Sequence, residues 1–319
     1  MKSLRANSWV YGLLMLLALA APLLGLYPVF VMKMLCYALF ACAFNLLLGY
    51  TRMLSFGHAA FFGAAAYVTG WLTGTHGWGT LSGIAGGVVV ALLMGAVIGA
   101  IAVRRRGIYF AMITLALAQL VYFVCLEASF TGGENGLQSI PRGTLFGFID
   151  LERDGTMYYF VLAIFAAAYL LIRRIVQSPF GQVLKAIREN EPRAISLGYR
   201  VDRYKLLAFV LSAGLAGLAG ALKALVLGFA TLSDVSQSTS GDVILMTMLG
   251  GSGTFLGPLV GSGVVLTLEE YLSDRVGAWA TVVIGVIFVV CVMVFRRGFV
   301  GEIERHFGRH AATENKSGQ

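Results

Sequence analysis

Apolar runs of about 20 residues, the length that crosses a bilayer as a helix, recur along this chain and leave charge only in the short intervals between them. They fall at 10–26, 29–48, 59–72, 84–103, 109–126, 158–172, 206–229 and 281–295, with an interrupted run at 243–268. Lipid offers backbone amides no partner, so a spanning segment must close its hydrogen bonds within itself, and helices do so. Composition agrees: 58% of the 319 residues are hydrophobic and 13% charged, against about 25% charged in a soluble domain. The expected fold is all-α, a polytopic helix bundle in a lipid bilayer, with about eight full spans plus one broken or re-entrant segment. A transmembrane domain over 1–299 carries a polar insertion at 178–198, and 300–319 is a polar cytoplasmic tail.

The net charge of +8 is no nucleic-acid signal, because the Arg and Lys residues sit at span ends. Lys2 and Arg5 precede the first run, Arg52 follows the second, Arg104, Arg105 and Arg106 the fourth, and Arg173 and Arg174 the sixth. Arg296 and Arg297 follow the last. The alternate intervals are acidic or uncharged: 127–154 holds Glu127, Glu134, Asp150, Glu152 and Asp154 against Arg142 and Arg153. The positive-inside rule therefore places both termini, the Arg104 loop and the 173–205 segment in the cytoplasm. That alternation holds through 281–295 only if 243–268 enters and returns or splits into two pieces. The string Leu249-Gly250-Gly251-Ser252-Gly253-Thr254-Phe255-Leu256-Gly257-Pro258 supports a break, since Gly and Pro interrupt helices. Such irregular backbone persists at membrane depth only where protein or a water-filled cavity covers it. Lys2, Arg5 and the Ala18-Leu19-Ala20 string resemble a cleavable signal; the polytopic remainder favours an uncleaved first helix.

The insertion is too patterned for a plain loop. Ser178 suits an N-cap and Pro179 the first helical position. Phe180, Val183, Leu184 and Ile187 share one helix face, Pro192 ends the helix, and a second short turn through Ala194, Ile195 and Leu197 can close at Gly198. Such a segment either transmits force to a soluble partner or lies on the lipid surface.

No G-x-x-x-x-G-K-[ST] phosphate loop is present, so the chain should not hydrolyse ATP itself. Cys36, Cys42, Cys125 and Cys291 lie in apolar runs without CxxC spacing and are expected to be inert. His306 and His310 alone make no metal site, and no catalytic spacing joins Ser55, His58 and the carboxylates. No enzyme, metal or cofactor is expected. Asn45 either bonds a neighbouring helix or meets substrate. Thr114 and Gln119 line a polar path or satisfy interhelical bonds. Lys223 either snorkels to the outer face or pairs with Asp234, Asp242 or a substrate carboxylate. Of the 40 glycines, Gly83 and Gly87, Gly95 and Gly99, Gly253, Gly257 and Gly261 follow small-xxx-small spacing, and Gly214, Gly217 and Gly220 recur every third residue. These stripes let helices approach closely.

Several strings together resemble the LivM-type permeases of branched-chain amino-acid ABC importers. They are Asn45-Leu46-Leu47-Leu48-Gly49-Tyr50, Leu54-Ser55-Phe56-Gly57-His58-Ala59-Ala60-Phe61-Phe62-Gly63-Ala64, Arg106-Gly107-Ile108-Tyr109-Phe110-Ala111-Met112-Ile113-Thr114-Leu115 and Thr131-Gly132-Gly133-Glu134-Asn135-Gly136-Leu137, followed by the 178–198 segment and Gly250 to Pro258. The resemblance implies a multi-pass protein of the bacterial inner membrane that forms half of a pore. The other half would be a second, LivH-like permease subunit. Two cytoplasmic ABC ATPase subunits would drive it, and a periplasmic substrate-binding protein would deliver Leu, Ile or Val. In that picture 180–197 is the ATPase-coupling helix, anchored by Phe180, Val183, Leu184 and Ile187. Lys185, Arg188, Glu189 and Arg193 would set its register. The interrupted segments 55–63 and 250–258 are the candidate translocation path, through Asn45, Ser55, Gly57, His58, Gly250, Gly251, Gly253 and Thr254, because broken helices expose backbone groups to a zwitterion; close packing through Gly is the alternative. Related permeases serve urea, short amides and other amino acids. An ion-coupled secondary transporter would instead need paired charges deep in the membrane, and a membrane enzyme or scaffold a catalytic constellation.

Overall fold

The computed structural model describes residues 27–145, 149–294, 298 and 299. The first expected span, the signal-like string and the polar tail lie outside them, as do Arg296 and Arg297, and the side chain of Cys291. The described chain is helical almost throughout: α1 (Pro28–Thr51), α2 (His58–Gly74), α3 (Thr80–Ala102), α4 (Ile108–Glu127), α5 (Asp154–Gln177), α6 (Pro179–Glu189), α7 (Glu191–Ser196), α8 (Val201–Leu227), α9 (Gln237–Gly250), α10 (Gly257–Val276) and α11 (Ala280–Val294). One antiparallel pair, β1 (Thr144–Leu145) with β2 (Ile149–Asp150), is the exception to the all-α expectation. Five helices, α1, α3, α4, α5 and α8, are long and apolar enough to cross a membrane alone. α2 and α11 are shorter, at 17 and 15 residues, or about 25 Å and 22 Å of helix.

α1 and α8 form the centre. α8 packs against α1, α2 and α3, while α5, α9 and α10 pack around α1. Small residues make these approaches possible: at Gly217 a side chain would strike Ala91 of α3, and at Gly95 it would strike Ala213 of α8. The core fills with Phe40, Phe44, Phe61, Phe62 and Phe209, all essentially buried. In contrast, α3 and α4 turn stripes outward: Val89, Leu93, Val97 and Ile101 on one, Ile108, Met112, Leu120 and Phe123 on the other. An apolar outer surface is what lipid or another membrane subunit requires.

The broken segment is two antiparallel helices. Gly250 of α9 lies against Gly257, and Met246 against Gly261 of α10, so the pair closes as a hairpin whose contacts admit no Cβ. The turn at 251–256 sits at the same end of the bundle as α6, because Gly253 lies beside Arg188. α10 then runs back, pairing Glu270 with Lys33 near the start of α1 at 3.6 Å. Beyond α11, Gly298 lies against Gly251, so the chain has returned to the α6 end. This geometry is the split that the charge alternation demanded.

The opposite end is closed by residues 128–145 and 149–153. Leu137 pairs with Ala230, and Arg142 donates to Val226 O at 3.0 Å and to Asp154 at 2.6 Å. Beneath it Lys223 does not snorkel. Its Nζ meets Asp234 at 2.7 Å and the Phe229 ring at 4.4 Å, and both charged side chains are almost fully buried. The Thr231 N–H donates to the same carboxylate at 2.9 Å. Removing one partner of such a pair strands a charge, whereas replacing both with apolar groups is close to neutral. Lys223→Met or Asp234→Asn should therefore destabilise the purified protein by about 3–5 kcal/mol, and the double change K223M/D234L should recover most of that loss. Thermal unfolding in detergent checks the difference.

Candidate coupling and translocation site

Four features converge at the α6 end: the end of α1, the start of α2, the 251–256 turn and the α6–α7 pair. Each can be built from local sequence. Ser178 caps α6, accepting from the Gly181 N–H at 3.4 Å while its hydroxyl donates to Ile175 O at 2.6 Å. Pro179 occupies the first position, whose N–H would have no helical partner. Asn190 then caps α7 by accepting from the Arg193 N–H at 3.1 Å. A tight two-helix elbow results.

Half of the elbow's apolar face is not on offer to a partner. Leu184 and Ile187 are buried within this chain, and Ile187 clusters with Ala194, Val201, Val183 and Tyr204. Phe180 stacks on Tyr204 at 5.7 Å between centroids. The expectation that Leu184 and Ile187 anchor the helix in a groove elsewhere is thus corrected, while Phe180 and Val183 are only half-buried. An amphipathic helix places its apolar face on the nearest apolar surface, and here that surface is its own bundle. What stays open is α7 and its exit, with Ile195 48% and Leu197 67% exposed, together with Glu189 and Arg193. Lys185 and Arg188 are half-buried. Glu191, absent from the sequence expectation, is the local organiser: it meets Lys205 of α8 at 2.8 Å and Arg106 at 3.2 Å.

Asn45 holds the helix break. Its Nδ2 donates to Thr254 O at 2.9 Å, and its Oδ1 accepts from the Gly253 N–H at 2.8 Å. Thr254 closes the rest of the turn, donating to Gly251 O at 2.8 Å and accepting from the Gly257 N–H at 3.0 Å. Tyr169 donates to Phe255 O at 3.2 Å. These bonds replace the ones the interrupted helix gives up, which is the condition for irregular backbone at membrane depth. Gly253 itself has φ +84°, and a Cβ there would run into the Arg188 guanidinium. The elbow and the break are therefore in direct contact.

Of the other expected path residues, Ser55 and His58 are fully buried, and Ser55 accepts from the Gly57 N–H at 3.3 Å. Gly57 packs on the Thr114 carbonyl of α4. Gly250 and Gly251 are buried in the hairpin, while Gly253 and Thr254 are partly open. Ser212 of α8 donates to Ala43 O at 2.5 Å and so must accept from His58 Nε2 at 2.8 Å, which puts the hydrogen of the neutral ring on that nitrogen. Phe44, Phe61 and Phe209 stand edge-on around the ring. Ser240 of α9 accepts from the Ala59 N–H at 3.0 Å, tying the hairpin to the first turn of α2. Sequence inspection missed Ser212 and Ser240 because their partners lie more than 150 positions away along the chain.

Asn45→Ala removes both bonds to the partly open turn, at about 0.5–1.5 kcal/mol each. It should lower the melting temperature of the purified protein, and Asn45→Asp, which sets a buried carboxylate against the Thr254 carbonyl, should lower it at least as far. Equal stability of all three would show the clasp to be unimportant.

The family model described as branched-chain amino acid transport system / permease component matches residues 29–292. The high-affinity branched-chain amino acid transport system permease protein LivM of Escherichia coli (strain K12) is 29% identical, over 82% of this chain and 67% of that protein. The probable branched-chain amino acid transport permease protein LivM of Methanocaldococcus jannaschii is 28% identical over 54% of this chain and 52% of its own length. A shorter match, 29% identical over 40% of this chain and 39% of the relative, is to the autoinducer 2 import system permease protein LsrC of Salmonella typhi. No solved structure matches. With the family model spanning most of its length, this chain is a transport permease, not an enzyme, and belongs to the branched-chain amino acid permease family.

Proposed function

We propose that this chain is one half of the transmembrane pore of an ABC importer that brings Leu, Ile and Val into a bacterial cytoplasm. The observation that carries the reading is the contact between the α6–α7 elbow and the helix break, made by Arg188 over Gly253. A soluble motor that shifts the elbow would act directly on a membrane segment whose helix is already interrupted. The basic residues gathered at this end, Arg52, Arg105, Arg106, Arg188 and Lys205, argue by the positive-inside rule that it faces the cytoplasm, where ATPases work. On this reading both termini are cytoplasmic, and the partners are a second permease subunit, two ATPases and a binding protein that makes the substrate selection. The branched-chain substrate follows the LivM relatives. The match to an autoinducer 2 permease favours testing other solutes on the same assembly.

The buried Lys223–Asp234 pair is what an ion-coupled carrier would exploit. Its place argues otherwise: it lies in the last turn or two of α8 and is braced by the Thr231 N–H, as a loop clasp would be. The deciding experiment is uptake of radiolabelled leucine into proteoliposomes. Accumulation is expected only when the partner permease, ATPases, binding protein and ATP are all present, with excess isoleucine and valine competing and urea not. Accumulation by this chain alone on an ion gradient would overturn the assignment.

Docking through the open face predicts that Leu197→Asp, or Ile195→Asp, reduces ATPase co-purification at least tenfold while the melting temperature stays within about 2 °C of wild type, as surface changes usually allow. Leu184→Asp should instead destabilise the chain itself, since its side chain is fully buried.

A further inference from the structure

A cleft of about 710 Å³ opens beside the elbow, lined by Arg52, Arg105, Arg106, Arg188 and Lys205 against Glu189 and Glu191. Glu191 is already matched by Lys205 and Arg106. Among the described residues Arg52, Arg105 and Arg188 have no carboxylate within ion-pair distance, so the cleft keeps a clear excess of positive charge. Arg52 is also strained. It caps α1 in the left-handed conformation, φ 57°, ψ 25°, one of only two non-glycine residues with positive φ among those described. Glycine is the ordinary residue there, and a side chain costs about 1 kcal/mol. Keeping an arginine at this position puts its guanidinium on the cleft.

The mouth of the cleft points to the ligand. Ile108, 71% exposed, lines the cleft and begins the outward stripe that runs through Met112 and Leu120 to Phe123. A cationic recess at the end of a span, continuous with an apolar track down that span, has the two-part chemistry of an anionic phospholipid. We propose that it is a binding site for such a lipid, with the headgroup phosphate among Arg52, Arg105 and Arg188 and one acyl chain along α4. Basic recesses at the ends of spans commonly hold such headgroups. Because Arg188 also touches Gly253, a seated phosphate would brace the same arginine that joins the elbow to the break.

The test is native mass spectrometry of the full chain in detergent, titrated with dioleoylphosphatidylglycerol or dioleoylphosphatidylcholine. The anionic lipid should be retained in preference. At about fivefold per cation near the surface, R52Q/R105Q should weaken it about twenty-five-fold, and E189Q should tighten it. Arg52→Gly separates binding from folding: it relieves the strained φ and should raise the melting temperature while weakening the lipid. Equal retention of both lipids, or no response to R52Q/R105Q, overturns the proposal. So does displacement by glycerol 1-phosphate, which would mark a free-anion site. Loss of ATPase co-purification in R52Q/R105Q with lipid retention unchanged would mark a protein-docking site and also overturn it.

Discussion

One side-chain amide holds open a gap that lipid would otherwise forbid. Between α9 and α10 the backbone leaves helical geometry for several residues, and every group so released must find a partner inside the protein. Asn45 supplies one donor and one acceptor, Thr254 supplies another of each, and Tyr169 adds a donor. Because Asn45 stands on α1, one of the two central helices, the turn is referenced to the centre of the bundle rather than to its edge. The hairpin contacts of Gly250 with Gly257 and of Met246 with Gly261 then fix how α10 leaves.

The position of that turn gives the elbow its meaning. α6 alone is an amphipathic helix seated on its own bundle, which is a static role. Its last turn carries Arg188 onto Gly253, where a positive φ and the absence of a Cβ allow the guanidinium to lie close. Glu191 ties the start of α7 to α8 and to the loop after α3. Displacing the elbow would therefore disturb the break, α8 and the Arg106 loop together, which suits a permease worked from one end.

Charge is scarce in this chain, and several buried polar groups within the bundle are held in closed sets. Lys223 has Asp234, His58 has Ser212, and Ser212 in turn has the Ala43 carbonyl. These sets join α8 to the outer loop and to α1 and α2, so polar groups act as fasteners where apolar packing alone would leave helices free to slide in lipid. The basic cleft is the exception, since its charges outnumber their partners.

Apolar run length and the placement of Arg and Lys were enough to establish the class, an all-α membrane bundle, and a break between 243 and 268, because lipid imposes those requirements on each segment separately. Ser178 and Pro179 likewise announced the elbow, since caps and proline act over a few residues, whereas Pro192 opens α7 instead of ending α6, which stops at Glu189 before the Asn190 cap. What the elbow's apolar face would meet was not local information. A periodicity shows that a face must be covered, never by what, and the fold buried Leu184 within the bundle, covered Ile187 with the chain's own Ala194, Val201 and Tyr204, and left Ile195 and Leu197 open. Asn45 could be suspected from sequence, yet its partners at 253 and 254, the seat of His58 on Ser212, and the meeting of Arg52, Arg105 and Arg188 in one cleft depend on bringing together residues scores of positions apart. Only three-dimensional packing decides which distant groups share a space.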